Sequence, residues 1–184
     1  MDIRLAFPNE ADQIMSTIIA AKELLAEAGS SQWQESDSYP NQSDIFSDIL
    51  QGKGYIGLID GEIVAYGAVV FGHEAAYDAI YDGQWQHNNQ LYTSLRRIVI
   101  APNYRGQGLA QTFLQGLIEG YDAHDFRCDT HVHNASMQHI LEKLDFVYCG
   151  KVPVNGERLA YQKIKKKSEK ALYQEIDEAA HHSL

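Results

Sequence analysis

The feature that most constrains the fold of this chain is a strand, a glycine loop and a helix that follow one another directly. Residues 91–101 are rich in β-branched side chains and end at Pro102, which cannot donate to a β-ladder. Gly106 and Gly108 come next, and residues 108–120 then carry apolar side chains at helical spacing. A strand that leads into a helix in this way is typical of α/β proteins.

The rest of the sequence continues this alternation. A helix is predicted from Asn9 to Gly29, and a short strand precedes it at residues 3–7. Two β-rich runs flank Asp60-Gly61, a dipeptide that strongly favours a hairpin turn. Further patterns predict a helix at 44–50, a strand at 126–132, a helix at 135–144, and strands at 146–150 and 159–164. The order predicts a mixed α/β (α+β) fold.

Length and charge narrow the classes of function. We expect one domain over residues 1–164 and a charged, helical tail over residues 165–184. The formal net charge of the 184-residue chain is -10. Proteins that bind polyanions usually carry a basic excess, so no nucleic-acid partner is expected, and a small or cationic substrate is favoured. The sequence contains no secretory leader and no apolar run long enough to span a bilayer, so we expect a cytoplasmic protein without a membrane partner.

The loop from Arg105 to Ala110 is suited to binding phosphate. Glycines let consecutive backbone N–H groups turn toward one point, and the N-terminus of the next helix adds free N–H groups and partial positive charge. Arg105 supplies a formal charge, to which Arg96 and Arg97 are expected to add. The Gly-Lys-Ser/Thr run of a triphosphate loop is missing, and Gln111 stands where a dinucleotide loop needs its third glycine. A plain glycine turn that binds nothing is the remaining alternative.

In this context the loop resembles the acetyl-coenzyme A signature of the GNAT N-acetyltransferase superfamily. The matching residues are Arg105-x-x-Gly108-x-Ala110, preceded by Val99-x-x-Pro102-x-Tyr104. Asn134 and the segment 141–146 resemble the asparagine and the Glu-Lys-Leu-Gly-Phe run of that family, with Asp145 in place of the glycine. The resemblance covers roughly residues 2–164 and looks like a poorly characterised bacterial branch. It implies a central, mostly antiparallel sheet flanked by helices, with the fourth and fifth strands splayed apart.

The resemblance also implies the acyl donor and its site. Acetyl-CoA would be the cosubstrate, and a small-molecule or peptide amine would attack it directly in a ternary complex. Backbone groups of Ile98, Val99 and Ile100 would hold the arm of the cofactor, and Asn134 would hydrogen-bond it. The pyrophosphate would lie on Arg105, Gly106, Gln107, Gly108, Leu109 and Ala110. Many family members are dimers, so a homodimer is a further expectation.

Three side chains are candidate catalytic groups. An amine must lose a proton before it attacks, and an imidazole titrates in the range that suits this task. His131 is the first choice for the base, with Asp129 two residues before it on the predicted strand, and a structural histidine is the alternative. Leu141 stands where many relatives have a tyrosine that protonates the departing thiolate, so Tyr148 or water would replace it. His131-x-His133 lacks further ligands at a suitable spacing, and no metal is expected.

The acceptor site is predicted from loops that border the acceptor cleft in similar proteins. Those loops contain the aromatic residues Trp33, Tyr39 and Trp85, and the carboxylates that could attract a cation are Glu74, Glu35 and Asp37. The missing tyrosine keeps one alternative function open, in which a protein of the same fold binds an acyl-CoA without turning it over.

Overall fold

A seven-stranded sheet forms the centre of the computed structural model, which describes residues 1–34 and 39–165. The strands are β1 (Asp2–Leu5), β2 (Gly54–Ile59), β3 (Glu62–Gly72), β4 (Tyr92–Ile100), β5 (Asp125–Thr130), β6 (Val147–Pro153) and β7 (Glu157–Ile164). The helices are α1 (Ala11–Glu27), α2 (Gln42–Leu50), α3 (Ala75–Asp78), α4 (Leu109–Gly120) and α5 (Ala135–Lys143). The strand order is β1-β2-β3-β4-β5-β7-β6, and only β4 and β5 are parallel. The predicted mixed fold is therefore confirmed.

The short helix α3 was not predicted, and the other differences from prediction lie at the ends of elements. β5 ends at Thr130, so His131 belongs to the loop that follows and not to the strand face on which it was predicted. β7 begins at Glu157 and not at residue 159, because its first residues already pair with β6, as Glu157 does with Pro153. The predicted tail lies outside the described residues, apart from Lys165.

A β-bulge interrupts β4 near its middle. Gly67 of β3 faces two residues of β4, Arg97 and Ile98, where a regular ladder would place one. Arg97 accordingly takes a left-handed φ of 55°. A Cβ atom on Gly67 would lie 2.6 Å from Cδ1 of Ile98, so a larger residue here would displace the Ile98 side chain. A bulge bends its strand and increases the local twist, which turns the end of β4 away from its neighbour.

As a result, β4 and β5 separate after a short contact. They pair only through Thr93 with Phe126 and Ser94 with Arg127. Past Ser94, β4 continues to Ile100 with β3 on one edge and, within the described residues, no strand on the other. This gap is the predicted splay, and the site is built around it.

Apolar clusters fix the helices on the two faces of the sheet. Phe113 of α4 and Leu141 of α5 are fully buried in one cluster, while Ile14 of α1 and Ile45 of α2 are fully buried in a second. Burying a side chain of this size contributes about 1.5–3 kcal/mol. A third cluster around Tyr77 packs residues 77–92 against β6 and β7. No helix in the described part of the chain is long and apolar enough to cross a membrane.

Candidate active site

A cavity of about 280 Å³ lies in the gap between β4 and β5. Its walls come from the unpaired part of β4, the end of β5, the first turns of α5, one side of α1 and the turn between β6 and β7. Arg105 and Ala110 of the glycine loop line it as well. The splayed strands and the loop therefore belong to one continuous site.

The glycine loop forms an open cradle of backbone amides. Gly106 and Gly108 have φ values of 75° and 73°, which other residues rarely adopt. The N–H groups of Gly106, Gln107 and Gly108 donate no hydrogen bond within the described residues, and those of Leu109 and Ala110 are at the free N-terminus of α4. A Cβ on either glycine would have no protein atom within 4 Å, so the space in front of the loop is open. Such a cradle fits a phosphate-sized anion.

Arg105 extends this cradle into the cavity. Its Nε donates to the carbonyl of Ile100 at 3.2 Å, while Nη2 is buried without a hydrogen-bond partner in the described structure. Arg96 and Arg97, by contrast, do not add free charge to the loop as predicted. Each of them is neutralised by a carboxylate, as described below.

Asn134 joins the cavity to α5. Its Oδ1 accepts a hydrogen bond from the N–H of Met137 at 3.2 Å and thereby caps the helix. Because Oδ1 is used for the cap, the amide nitrogen is the group that can donate to a ligand in the cavity. Met137 and Ile140 line the cavity from the same helix, whereas Leu141 points into the core and is fully buried.

Two of the predicted acceptor residues, Trp33 and Tyr39, line the cavity. The ring of Tyr39 lies under the guanidinium of Arg97, with 5.1 Å from Cζ to the ring centroid. Arg97 in turn donates from Nη1 to both carboxylate oxygens of the buried Asp48, at 2.8 and 3.1 Å. The carboxylates Glu35 and Asp37 lie outside the described residues.

Among the described residues, Asp129 is the carboxylate that lines the cavity. Its Oδ1 accepts a hydrogen bond of 2.7 Å from the hydroxyl of Tyr77, which is fully buried and also lines the cavity. Burial raises the pKa of the Asp129 carboxyl above its ordinary value, although the Tyr77 hydrogen bond opposes the change. The charges of Arg158 and Arg96 oppose it too. Asp129 is thus a fixed carboxylate with an unusually high proton affinity.

His131 and Tyr148 do not line the cavity. Nε2 of His131 lies 3.2 Å from Oγ of Ser31, and Nδ1 accepts from the N–H of His133 at 3.2 Å. Burial lowers the pKa of His131, as do the charges of Arg158 and His133, so the neutral ring is favoured. Tyr148 is 47% exposed on β6. The structure therefore separates both residues from Asp129, the third predicted catalytic group.

Glu74 and Trp85 also lie behind the cavity wall and do not line it. The carboxylate of Glu74 forms an ion pair with Arg96, which does line the cavity. Trp85 is buried, and the guanidinium of Arg127 lies 4.3 Å from its ring centroid. Both residues hold the wall in place from behind in this structure.

Several polar residues of the cavity had no sequence signal of their own. They are Gln32, Tyr77, Thr130 and Arg158. Arg158 escaped notice because β7 was predicted to begin just after it, and Tyr77 lies in a segment of mixed character. Alternation along the longer β7, with Arg158, Ala160 and Gln162 on one face, is the pattern that could have indicated Arg158. Within the described residues, no group of three or more His, Cys, Asp or Glu side chains is arranged to hold a metal ion.

Comparisons with known proteins agree with this geometry. The family model described as "Acetyltransferase (GNAT) family" matches residues 18–146. A solved GNAT-family acetyltransferase from Streptococcus agalactiae is 59% identical, with a TM-score of 0.88 over 90% of this chain and 96% of that one. A GNAT-family acetyltransferase from Listeria monocytogenes shares 21% identity and a TM-score of 0.67, over 89% of this chain and 94% of that one.

The fold alone is shared with more distant structures. A ribosomal-protein-alanine N-acetyltransferase from Brucella melitensis is 16% identical, with a TM-score of 0.61 over 90% of this chain and all of that one (100%). No curated protein sequence matches this chain.

Proposed function

Since the chain belongs to the GNAT acetyltransferase family, we propose that it is an N-acetyltransferase that moves an acetyl group from acetyl-CoA to an amine within a ternary complex. The observation that carries the proposal is the cavity between β4 and β5, lined at the same time by the glycine loop and by Asp129. Acetyl-CoA would supply the acetyl group as a thioester.

The residues present fit this cosubstrate. A pyrophosphate needs several convergent N–H donors and a positive charge. The open amides of residues 106–110 and the unpartnered Nη2 of Arg105 provide both. A glycine turn without a ligand would leave this buried guanidinium nitrogen unpaired, which costs free energy of folding. The unpaired nitrogen therefore favours a bound anion over an empty turn.

The free edge of β4 suits the amide-bearing arm of coenzyme A. Past Ser94 the strand has, in the described structure, no partner on this edge, so the backbone groups of residues 98–100 can pair with an extended ligand. The amide nitrogen of Asn134 can donate from the opposite wall. A backbone N–H on the same edge would stabilise negative charge on the carbonyl oxygen of the acetyl group, which is typically worth about 3–4 kcal/mol.

We assign the role of proton acceptor to Asp129 in preference to His131. A free alkyl ammonium has a pKa of about 10.4, so an amine bound at neutral pH must give up a proton. Asp129 faces the cavity and has a raised pKa, which makes it a stronger base than an ordinary carboxylate. Tyr77 holds that carboxylate in one orientation through its hydrogen bond.

The departing thiolate has no protein acid at either of the two positions that the sequence suggested. Leu141 is buried in the core, and Tyr148 does not line the cavity. A thiol has a pKa of only about 8.5, so the thiolate is a tolerable leaving group that water can protonate. A cytoplasmic location, the absence of nucleic-acid and membrane partners, and a homodimer stay predictions from the sequence.

The test is release of free thiol from acetyl-CoA in the presence of a panel of amines, with mass spectrometry of the acetylated product. The proposal expects thiol release that depends on the amine and is lost when the amine is omitted. Leu141 favours one competing function, a module that binds acyl-CoA without turnover. Tight calorimetric binding of acetyl-CoA with no thiol release for any amine would support that module instead.

A further inference from the structure

Arg158 is a buried cation that lacks a counter-charge in the described structure. Arg158 lies at the start of β7, is 7% exposed and lines the cavity. Nε donates to the carbonyl of Val154 at 3.0 Å and Nη2 to that of Asn155 at 3.4 Å, while Nη1 is buried without any partner. Arg158 forms no ion pair with a carboxylate of residues 1–34 or 39–165. A buried, half-satisfied guanidinium is expensive unless a ligand completes it.

The register of the sheet puts Arg158 and Asp129 on the same face. Asp129 of β5 is directly opposite Ala160 of β7, and side chains two apart on a strand point the same way. Arg158 is therefore the diagonal neighbour of Asp129. Burial raises the pKa of Asp129, and the charge of Arg158 opposes that rise, in keeping with this short separation.

The other arginines that line the cavity already have a carboxylate partner or belong to the glycine loop. Arg96 is paired with Glu74 and Arg97 with Asp48, and Arg105 belongs to the glycine loop. Three more buried polar atoms of cavity-lining residues have no partner in the described structure: Oε1 of Gln32, Oγ1 of Thr130 and Nε of Arg97. The wall of the cavity therefore holds further polar atoms that lack a protein partner.

We propose that the acceptor is a small amino carboxylate, whose amine faces Asp129 and whose carboxylate pairs with Arg158; this rests on the proposed acetyl transfer. A guanidinium binds a carboxylate through strong, charge-assisted hydrogen bonds, and Nη1 of Arg158, which has no partner in the described structure, is suited to form one. The opposite charges of Arg158 and Asp129 match the two ends of an amino acid. Acceptors without a carboxylate leave Arg158 unsatisfied, and polyamines add a repelling charge. The cationic acceptor favoured by the net charge of the chain is replaced by a zwitterionic one.

Matched pairs of acceptors test this assignment. Thiol release is measured with proteinogenic amino acids and with the carboxamide of each, which keeps the amine and removes the negative charge. For the best amino acid, we expect kcat/KM to exceed that of its carboxamide by about 10- to 100-fold, the range of a charge-assisted hydrogen bond. In Arg158→Gln the amino acid and its carboxamide should react with equal kcat/KM, and Arg158→Lys should recover part of the preference for the amino acid. Arg4→Gln, which removes an arginine remote from the cavity, is the control and should leave the ratio unchanged.

Two results would overturn the proposed carboxylate site. Equal rates for amino acids and carboxamides in the wild-type protein overturn the proposal. It is also overturned if Arg158→Gln weakens calorimetric binding of acetyl-CoA and leaves the ratio intact, because Arg158 then serves the phosphates of the cofactor.

If no amine releases thiol, the proposed acetyl transfer fails, and calorimetry of the same amino acids with coenzyme A present becomes the test. Binding that Arg158→Gln abolishes would support the carboxylate site, and no binding would overturn it. Thermal unfolding of each variant establishes that it is folded.

Discussion

Replacing Asp48 by asparagine tests whether a buried ion pair holds the β4 bulge that opens the site. Asp48 is 6% exposed and accepts hydrogen bonds of 2.8 Å from Tyr66 and from Arg97. The side chain of Arg97 is 11% exposed, so Asp48→Asn leaves its charge largely desolvated and unpaired. Breaking a buried pair from one side costs about 3–5 kcal/mol, and because Arg97 also reaches the cavity we expect the lower value, about 3 kcal/mol. Acetyl-CoA binding should weaken as well, since the bulge shapes the cofactor edge of β4.

Urea denaturation measures this loss as a change in the free energy of unfolding. The matched control is Glu10→Gln, which breaks the pair with Arg4, whose side chain is 37% exposed; a surface pair contributes about 0–1 kcal/mol. The double variant Asp48→Asn, Arg97→Met removes both buried charges and should recover most of the loss. The reasoning is refuted if Asp48→Asn costs no more than Glu10→Gln, with unchanged denaturant slopes.

Three further substitutions address the site itself. Gly108→Ala should lower the free energy of unfolding by about 1–2 kcal/mol, because alanine is strained at the left-handed φ of this position. It should also weaken the binding of acetyl-CoA, measured by calorimetry, at least about tenfold. Unchanged affinity would argue against the cradle. Asn134→Asp keeps an oxygen that caps α5 but removes the amide donor, so unfolding should change little while the affinity for acetyl-CoA falls. Asp129→Asn should lower kcat by about 100-fold or more without affecting cofactor affinity. In the wild-type protein kcat/KM should rise with pH as Asp129 loses its proton. This rise should occur above the usual aspartate range, because burial raises the pKa of Asp129. If the same rise of kcat/KM with pH is seen in Asp129→Asn, another base such as His131 is responsible.

Local sequence patterns predicted the parts of the fold that depend on neighbours along the chain. The hairpin at Asp60-Gly61 forms with φ values of 50° and 83°, as the dipeptide favours, and the strand, loop and helix around Gly108 are confirmed. The end of β5 was placed too far along, because Val132 and His131 continue the alternation in sequence although β5 stops pairing with β7 at Thr130. Periodicity cannot indicate where a strand leaves its neighbour.

The parts of the site that escaped prediction depend on contacts between distant segments. Tyr77 meets Asp129 across 52 positions of sequence, and Glu74 meets Arg96 across 22. Neither pairing leaves a local pattern, and Arg96 therefore looked like a free charge. The unpartnered state of Arg158 is likewise visible only once β5 and β7 are side by side. The predicted cofactor loop, by contrast, is continuous in sequence, which is why its residues could be proposed from the pattern and the family resemblance.

The central claim is that one cavity holds coenzyme A from the glycine loop to the free edge of β4. A crystal structure of the chain with coenzyme A tests it most directly. We expect pyrophosphate oxygens at about 3 Å from the amide nitrogens of residues 106–110. We also expect the arm to lie between β4 and β5 and the sulfur to point toward Asp129. Coenzyme A bound elsewhere on the surface, or no binding at saturating concentration, would contradict it.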